Sequence, residues 1–193
     1  MGRRVLLAGA SLALSLTWYF FAVSWRDASL PGLIEVEQGR VFACQSARPT
    51  GLASASRTLG IGGVVLVGNP GDAQLLRHSC GSLGLRYVEA DVAPVGRAAA
   101  QSALDALRVM GGSGRSPVLI VYGAEPARAA ELAALHLALK RGLSMSASYE
   151  RTLELMGESR THSPALLMDW GGVIARAYES GHDIPGGPAG AQR

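Results

Sequence analysis

The sequence predicts an α/β domain, a mostly parallel central sheet flanked by helices, preceded by one N-terminal transmembrane helix. Three observations carry that expectation. Short β-branched apolar runs alternate with longer stretches of helical period, which implies crossover connections between parallel strands. The run from Ile61 to Val67 is almost wholly apolar, as suits a strand covered on both faces. From Val5 to Ser24 there is no charged residue, over the roughly 20 positions a helix needs to cross a hydrocarbon core.

Arg3 and Arg4 precede the uncharged run, whereas Arg26 on its far side is offset by Asp27. The basic excess predicts a cytoplasmic N-terminus and a single-pass inner-membrane protein whose domain is periplasmic or otherwise extracytoplasmic. Trp18, Tyr19 and Trp25 suit the outer interface. The competing reading is a cleaved signal peptide, since Ala22-Val23-Ser24 has a small-x-small pattern; the aromatic cluster beside it and the long apolar run favour an uncleaved anchor over residues 1–26. Residues 27–32 read as a linker.

The domain is expected over residues 33–156. Leu33–Glu37 and Arg40–Cys44 alternate around Gln38-Gly39 as a hairpin does. Thr50 is placed to cap a short helix that ends at Leu59 before Gly60. After the Ile61–Val67 strand, Gly68-Asn69-Pro70-Gly71 is a break. Asp72–Ser82 reads as a helix with Leu75, Leu76 and Ser79 on one face, and Leu85–Val92 as the next strand. Ala98–Met110 is helical with Leu104, Leu107 and Met110 at core spacing, Gly111–Gly114 is a flexible loop, and Val118–Tyr122 is a buried strand. Pro126–Arg141 is a long helix stopped by Gly142, and Ser144–Met156 is the last helix of the domain. Residues 157–179 form a C-terminal helical extension, Pro164–Tyr178 being amphipathic despite Gly171-Gly172. It is expected to dock on the domain, with a second membrane contact as the alternative. The tail over 180–193 has nothing to bury and is expected to be disordered.

Composition narrows the function. The 193 residues fit one membrane segment and one domain; 48% are hydrophobic and 17% charged, and the net charge of +3 is scattered, without the basic stripe and interleaved aromatics of a nucleic-acid binder. His78, His136, His162 and His182 have no metal-ligand spacing, so no metal and no cofactor are expected. Cys44 and Cys80 would face an oxidising compartment, where they either pair or stay as two buried thiols; the second reading is preferred.

The candidate site lies in Pro117-Val-Leu-Ile-Val-Tyr122-Gly-Ala-Glu125-Pro-Ala-Arg128, a strand, a short loop and a helix start. On that layout loop N–H groups and a helix N-terminus converge on one anion. The order of motifs extends the pattern: Gly39-Arg-Val-Phe-Ala-Cys-Gln-Ser-Ala-Arg-Pro49, then Leu59-Gly-Ile-Gly-Gly-Val-Val-Leu-Val67, then Leu83-Gly-Leu-Arg-Tyr-Val-Glu-Ala-Asp-Val92, and finally Gly142-Leu-Ser-Met-Ser-Ala-Ser-Tyr-Glu150. With Pro117 to Leu132 in the slot of a Cys-x5-Arg loop, residues 33–156 resemble the bacterial dual-specificity and tyrosine phosphatase-like domains.

The resemblance implies that Arg128 is the arginine that would fork onto an oxyanion. It also implies that Tyr122 occupies the nucleophile position, so no catalytic residue remains. Val121 stands for the histidine, Ala129 for the hydroxyl residue, and Gly123, Ala124, Glu125, Pro126 and Ala127 form a degenerate loop. Glu125 would repel a dianion and is expected to pair with Arg128; a purely structural partner for Arg128, Glu125 or Glu131, is the plainer alternative. Asp91 would be the general-acid position, against an ordinary turn aspartate. Cys80-Gly-Ser-Leu-Gly-Leu-Arg86 is also a Cys-x5-Arg, but it runs from a helix end into a strand, the reverse of what lowers a thiol pKa. The function expected is a membrane-anchored pseudophosphatase binding a partner protein or an anionic ligand. An active phosphatase on phosphorylated envelope molecules and a purely structural envelope scaffold are the alternatives.

Overall fold

The computed structural model describes residues 30–68, 73–112, 116–158 and 163–184. The expected anchor over 1–26, most of the linker, the Asn69-Pro70-Gly71 break, His162 and the tail beyond 184 lie outside the described residues. No helix among the described residues is long and apolar enough to cross a membrane.

Five strands form one sheet: β1 (Ile34–Glu37), β2 (Val41–Cys44), β3 (Gly63–Val67), β4 (Arg86–Ala90) and β5 (Val118–Val121), in the order β1-β2-β5-β3-β4. The β1–β2 pair is the expected antiparallel hairpin, closed by the Arg40 N–H on the Glu37 carbonyl at 2.9 Å. The β2–β5, β5–β3 and β3–β4 pairs are parallel, as the alternation of strand and helix requires. The helices are α1 (Pro49–Thr58), α2 (Ala73–Ser82), α3 (Arg97–Gly112), α4 (Pro126–Arg141), α5 (Met145–Leu155) and α6 (Ala165–Ser180).

Side-chain alternation along the central strands divides the core in two. Phe42, Cys44, Val64, Leu66, Leu119 and Val121 face Leu52 and Ala55 of α1 and Leu76 and Cys80 of α2. Val41, Ala43, Val65, Val67, Val118 and Ile120 face the other way, onto α3, α4, α5 and α6. Helix α4 is the centre of that second layer. Ala129, Ala130, Ala133 and Ala134 are fully buried among Leu132 and Leu135, so the helix is covered around its circumference, and its small residues let α3, α5 and α6 approach it.

Four local expectations are corrected. Thr50 is not the cap of α1: Arg48 takes that place with Pro49 at the first helical position, where a missing N–H costs nothing. Leu75 does not share the buried face of α2 but is 52% exposed; Leu76, Ser79 and Cys80, at the i, i+3, i+4 spacing, form it. Gly111 and Gly112 are not loop residues but the last turn of α3. A Cβ on Gly111 would collide with the Tyr178 hydroxyl of α6, so this glycine lets the two helices meet. The tail is not free from residue 180 onward. Ile184 is buried, its N–H donates to Gln101 Oε1 and its carbonyl accepts from Arg97, while Asp183 pairs with Arg108 at 2.7 Å. Gly142 ends α4 at φ 65°, as its sequence position predicts.

Candidate functional site

Strand β5 runs through the middle of the sheet, so the chain leaving it emerges between the ends of β2 and β3. The ladder with β2 continues past the strand: the Tyr122 N–H donates to the Cys44 carbonyl at 3.1 Å and the Gly123 N–H to the Gln45 carbonyl at 2.9 Å. The Glu125 N–H then turns back onto the Tyr122 carbonyl at 2.7 Å, and Pro126, the first residue of α4, has no N–H to offer. Of the seven loop positions from 122 to 128, these bonds leave the N–H groups of Ala124, Ala127 and Arg128. A cradle that wraps a phosphate needs a converging set of such donors, and here half of the loop's N–H groups are spent on the sheet and the turn.

Tyr122 is 7% exposed and packs in the same core layer as Ile120. Its hydroxyl reaches under the turn that precedes β1, where a Cβ on Gly32 would lie 3.5 Å from it. Burial, then the neighbouring Cys44 and Glu158, push the phenol above its ordinary value. The nucleophile position is thus held by a protonated, packed side chain, the opposite of an activated group.

Arg128 lies in the first turn of α4 and is spoken for. Its Nη1 donates to Glu131 Oε1 at 2.6 Å. The other carboxylate oxygen, Oε2, accepts the backbone N–H groups of Leu166 and Leu167 at 2.7 and 3.2 Å, so Glu131 caps the N-terminus of α6. Glu131 is 1% exposed; burial raises its carboxyl, and the guanidinium and the two N–H groups oppose that rise. All three donors need an acceptor, which fits the ionised form. The expected Glu125–Arg128 pair does not form. Glu125 leans the other way, its Cγ 3.1 Å from where a Cβ on Gly68 would be, at the end of β3.

Around these residues is a cavity of about 450 Å³, lined by the loop from Tyr122 to Arg128, by Gln45 and Glu131, by Leu153, Met156 and Glu158 at the end of α5, and by Ser163. Its described walls hold three carboxylates and one guanidinium. A second hollow of about 360 Å³ lies on the far side of the loop, against Ser46, Ala47, Leu66, Leu76 and Val121; the two share Gln45, Gly123 and Ala124.

The other candidates fall elsewhere. Asp91 follows β4, and its carboxylate accepts the Ala93 N–H at 3.4 Å while its own N–H donates to Ser102. It is absent from the walls of the cavity and does the work of a turn residue. Cys80 is inside α2 and buried, and Arg86 reaches away to the Gly112 carbonyl. Cys44 and Cys80 are both free thiols, in the same core layer between the sheet and α1–α2. Burial pushes Cys44 up to about 12 and Cys80 up to about 11. No group of three or more metal-ligating side chains occurs among the described residues. His136 is instead in a buried pair, its Nε2 2.9 Å from Glu37 Oε2, with Arg141 donating to Glu37 Oε1 at 2.7 Å. Reading the sequence missed Gln45, Glu158 and the capping role of Glu131. The i, i+3 spacing of Arg128 and Glu131 was the available signal for their pairing, but nothing local announces that Glu131 also holds a helix 35 residues away.

No protein-family model matches this chain, and no curated protein matches it. Solved structures do. TpbA of P. aeruginosa superposes with a TM-score of 0.53 at 19% identity, covering 80% of this chain and 86% of that one. The core catalytic domain of the PP-IP phosphatase SIW14 from S. cerevisiae, solved with citrate, gives 0.59 at 11% identity over 79% and 96% of the two chains. Tk-PTP in its active form gives 0.57 at 16% identity over 78% and 97%. The fold is that of tyrosine and dual-specificity phosphatases.

Proposed function

We propose that the chain is a membrane-anchored, catalytically inactive phosphatase-like domain that binds a partner protein outside the cytoplasmic membrane through the cavity at the end of β5. The observation that carries this reading is the state of the inherited loop. Where hydrolysis of a phosphomonoester by this fold needs a thiolate and a converging donor set, Tyr122 is packed and protonated, and the N–H groups of residues 122, 123 and 125 bond to the protein itself. Arg128, the residue that would clamp the oxyanion, holds Glu131. The anchor rests on the uncharged run from Val5 to Ser24 and the flanking Arg3 and Arg4.

The test is turnover. The purified domain is expected to hydrolyse para-nitrophenyl phosphate no faster than buffer, and its two thiols, raised by burial, are expected to resist iodoacetamide near neutral pH until the protein is unfolded. Robust hydrolysis abolished by Cys80→Ser or Cys44→Ser would overturn the inactive reading.

A further inference from the structure

The chain enters the domain at the same end of the sheet as the candidate cavity. Leu30 is buried in the core layer with Cys44 and Leu52, the Pro31 carbonyl accepts the Gln45 N–H at 3.0 Å, and a Cβ on Gly32 would lie 3.5 Å from the Tyr122 hydroxyl. Gln45 and Tyr122 both line the cavity. Between the uncharged run, which ends at Ser24, and Leu30 there are five residues. Fully extended, that stretch of chain spans at most about 20 Å, whereas a domain of this size is about 35 Å across. An anchor over the uncharged run therefore brings the bilayer to this end of the domain and not to the other.

The exposed apolar side chains are distributed to match. Among the described residues, six large hydrophobic side chains are exposed. Leu33 precedes β1, whose Ile34 pairs with Ala43 near the end of β2. Leu75 is in the first turn of α2, next to Leu76 of the second hollow. Leu155 ends α5 beside Met156 of the cavity wall. Met168, 73% exposed, is near the start of α6, and its sulfur accepts from the hydroxyl of Ser163, another wall residue. These four share the cavity end, whereas Leu83 and Leu143 follow the C-termini of α2 and α4 at the other end. A leucine exposed singly needs no explanation, but four such side chains around one rim make a surface.

We infer that the domain rests on the bilayer by this rim, with Leu33, Leu75, Leu155 and Met168 in the headgroup region and the cavity opening toward the membrane surface. The inference rests on the anchored reading above and adds the face that docks, so the partner that reaches the cavity is one held in or on the same membrane. Glu125, Glu154 and Glu158 are exposed at this end. The surface that suits the rim is therefore a zwitterionic one, where apolar burial is not opposed by repulsion from anionic lipid.

The experiment places the full chain in phosphatidylcholine vesicles in which part of the lipid carries a spin-labelled headgroup, a short-range quencher of fluorescence. In one variant, Glu154→Cys, the fluorophore is on the rim; in another, Gln38→Cys, it is on the β1–β2 turn at the far end. Cys44 and Cys80 are buried and stay unlabelled. Quenching at the rim is expected to be at least about fivefold steeper than at the turn, given the width of the domain between them. Lengthening the linker by about 20 Gly and Ser residues after Asp27 separates contact from tethering, and the rim contact is expected to keep its quenching within about twofold. In that lengthened chain, Leu155→Ser with Met168→Ser is expected to bring quenching at the rim down to the level at the turn, with an unchanged urea midpoint. Equal quenching at the two positions in a chain that floats with the vesicles overturns the inference. So does rim quenching that is lost when the linker is lengthened, or a rim label that is insensitive to lipid but transfers energy to a second, acceptor-labelled copy of the chain. A chain that does not float with the vesicles overturns the anchored reading as well.

Discussion

Helix α4 carries two buried carboxylate clusters, one near each end, and they do different things for the molecule. Near its C-terminus, Glu37 is held by His136 at 2.9 Å and Arg141 at 2.7 Å, which ties β1 to the helix. Near its N-terminus, Glu131 is held by Arg128 and by two N–H groups of α6, which ties the C-terminal helix to the same core. The first cluster lines neither of the two hollows described above. The second borders the cavity at the end of β5, so its arginine has been offered a choice between a ligand and the fold, and the geometry has it on the fold. The difference lies in what each acidic residue holds: Glu131 is architecture, whereas no hydrogen bond among the described residues gives the side chains of Glu125 and Glu158 such a duty.

The comparison breaks most visibly at Glu131. Glu131→Ala removes the acceptor for Arg128 and for the α6 N-terminus together, and is expected to cost about 3 kcal/mol in urea unfolding, the scale for breaking a buried ion pair from one side. Amide exchange at Leu166 and Leu167 should accelerate in the same variant. A loss no larger than that of an exposed substitution would mean that α6 is held by packing alone.

The C-terminal cluster predicts a smaller effect with a pH signature. Burial holds His136 below its ordinary value of 6.5, with Glu37 opposing, so protonation favours the unfolded chain. Its contribution is therefore complete above about pH 6.5 and is lost as the pH falls through the folded-state value. The carboxyl of Glu37, also lowered, acts in the same direction but only below its ordinary 4.5. Glu131, raised, has the opposite sign. Lowering the pH from 7 toward 5 should reduce the urea midpoint of the wild type more than that of His136→Gln, which itself costs about 1 kcal/mol at pH 7 through a lost hydrogen bond to a buried carboxylate. Parallel pH profiles would remove His136 from the account.

The sequence made the architecture legible wherever one element explains its own pattern. The all-apolar run of β3, the alternation of the β1–β2 hairpin and the Gly142 stop of α4 each obey a local rule, and each appears where expected. The residues from Tyr122 to Arg128 line a common cavity. What stayed hidden depends on partners distant in sequence. Glu125 and Arg128 are three apart and of opposite charge, yet Arg128 finds Glu131, because Glu131 also answers the unsatisfied N–H groups of α6. The tail residue Ile184 looked unburied because the hollow it fills is made by α3, and Gly111 looked like a loop because its reason, Tyr178, lies 67 residues away in the numbering.

The central claim is that Arg128 belongs to the fold rather than to a ligand, and a double-mutant cycle between Arg128→Met and Glu131→Gln in urea measures it most directly. The account predicts a coupling of about 1.5 kcal/mol, present without any added anion and unchanged by 20-fold variation of phosphate around about 1 mM. A coupling near zero, together with phosphate stabilising the wild type but not Arg128→Met, would show that the arginine still serves an anion site and would contradict the account.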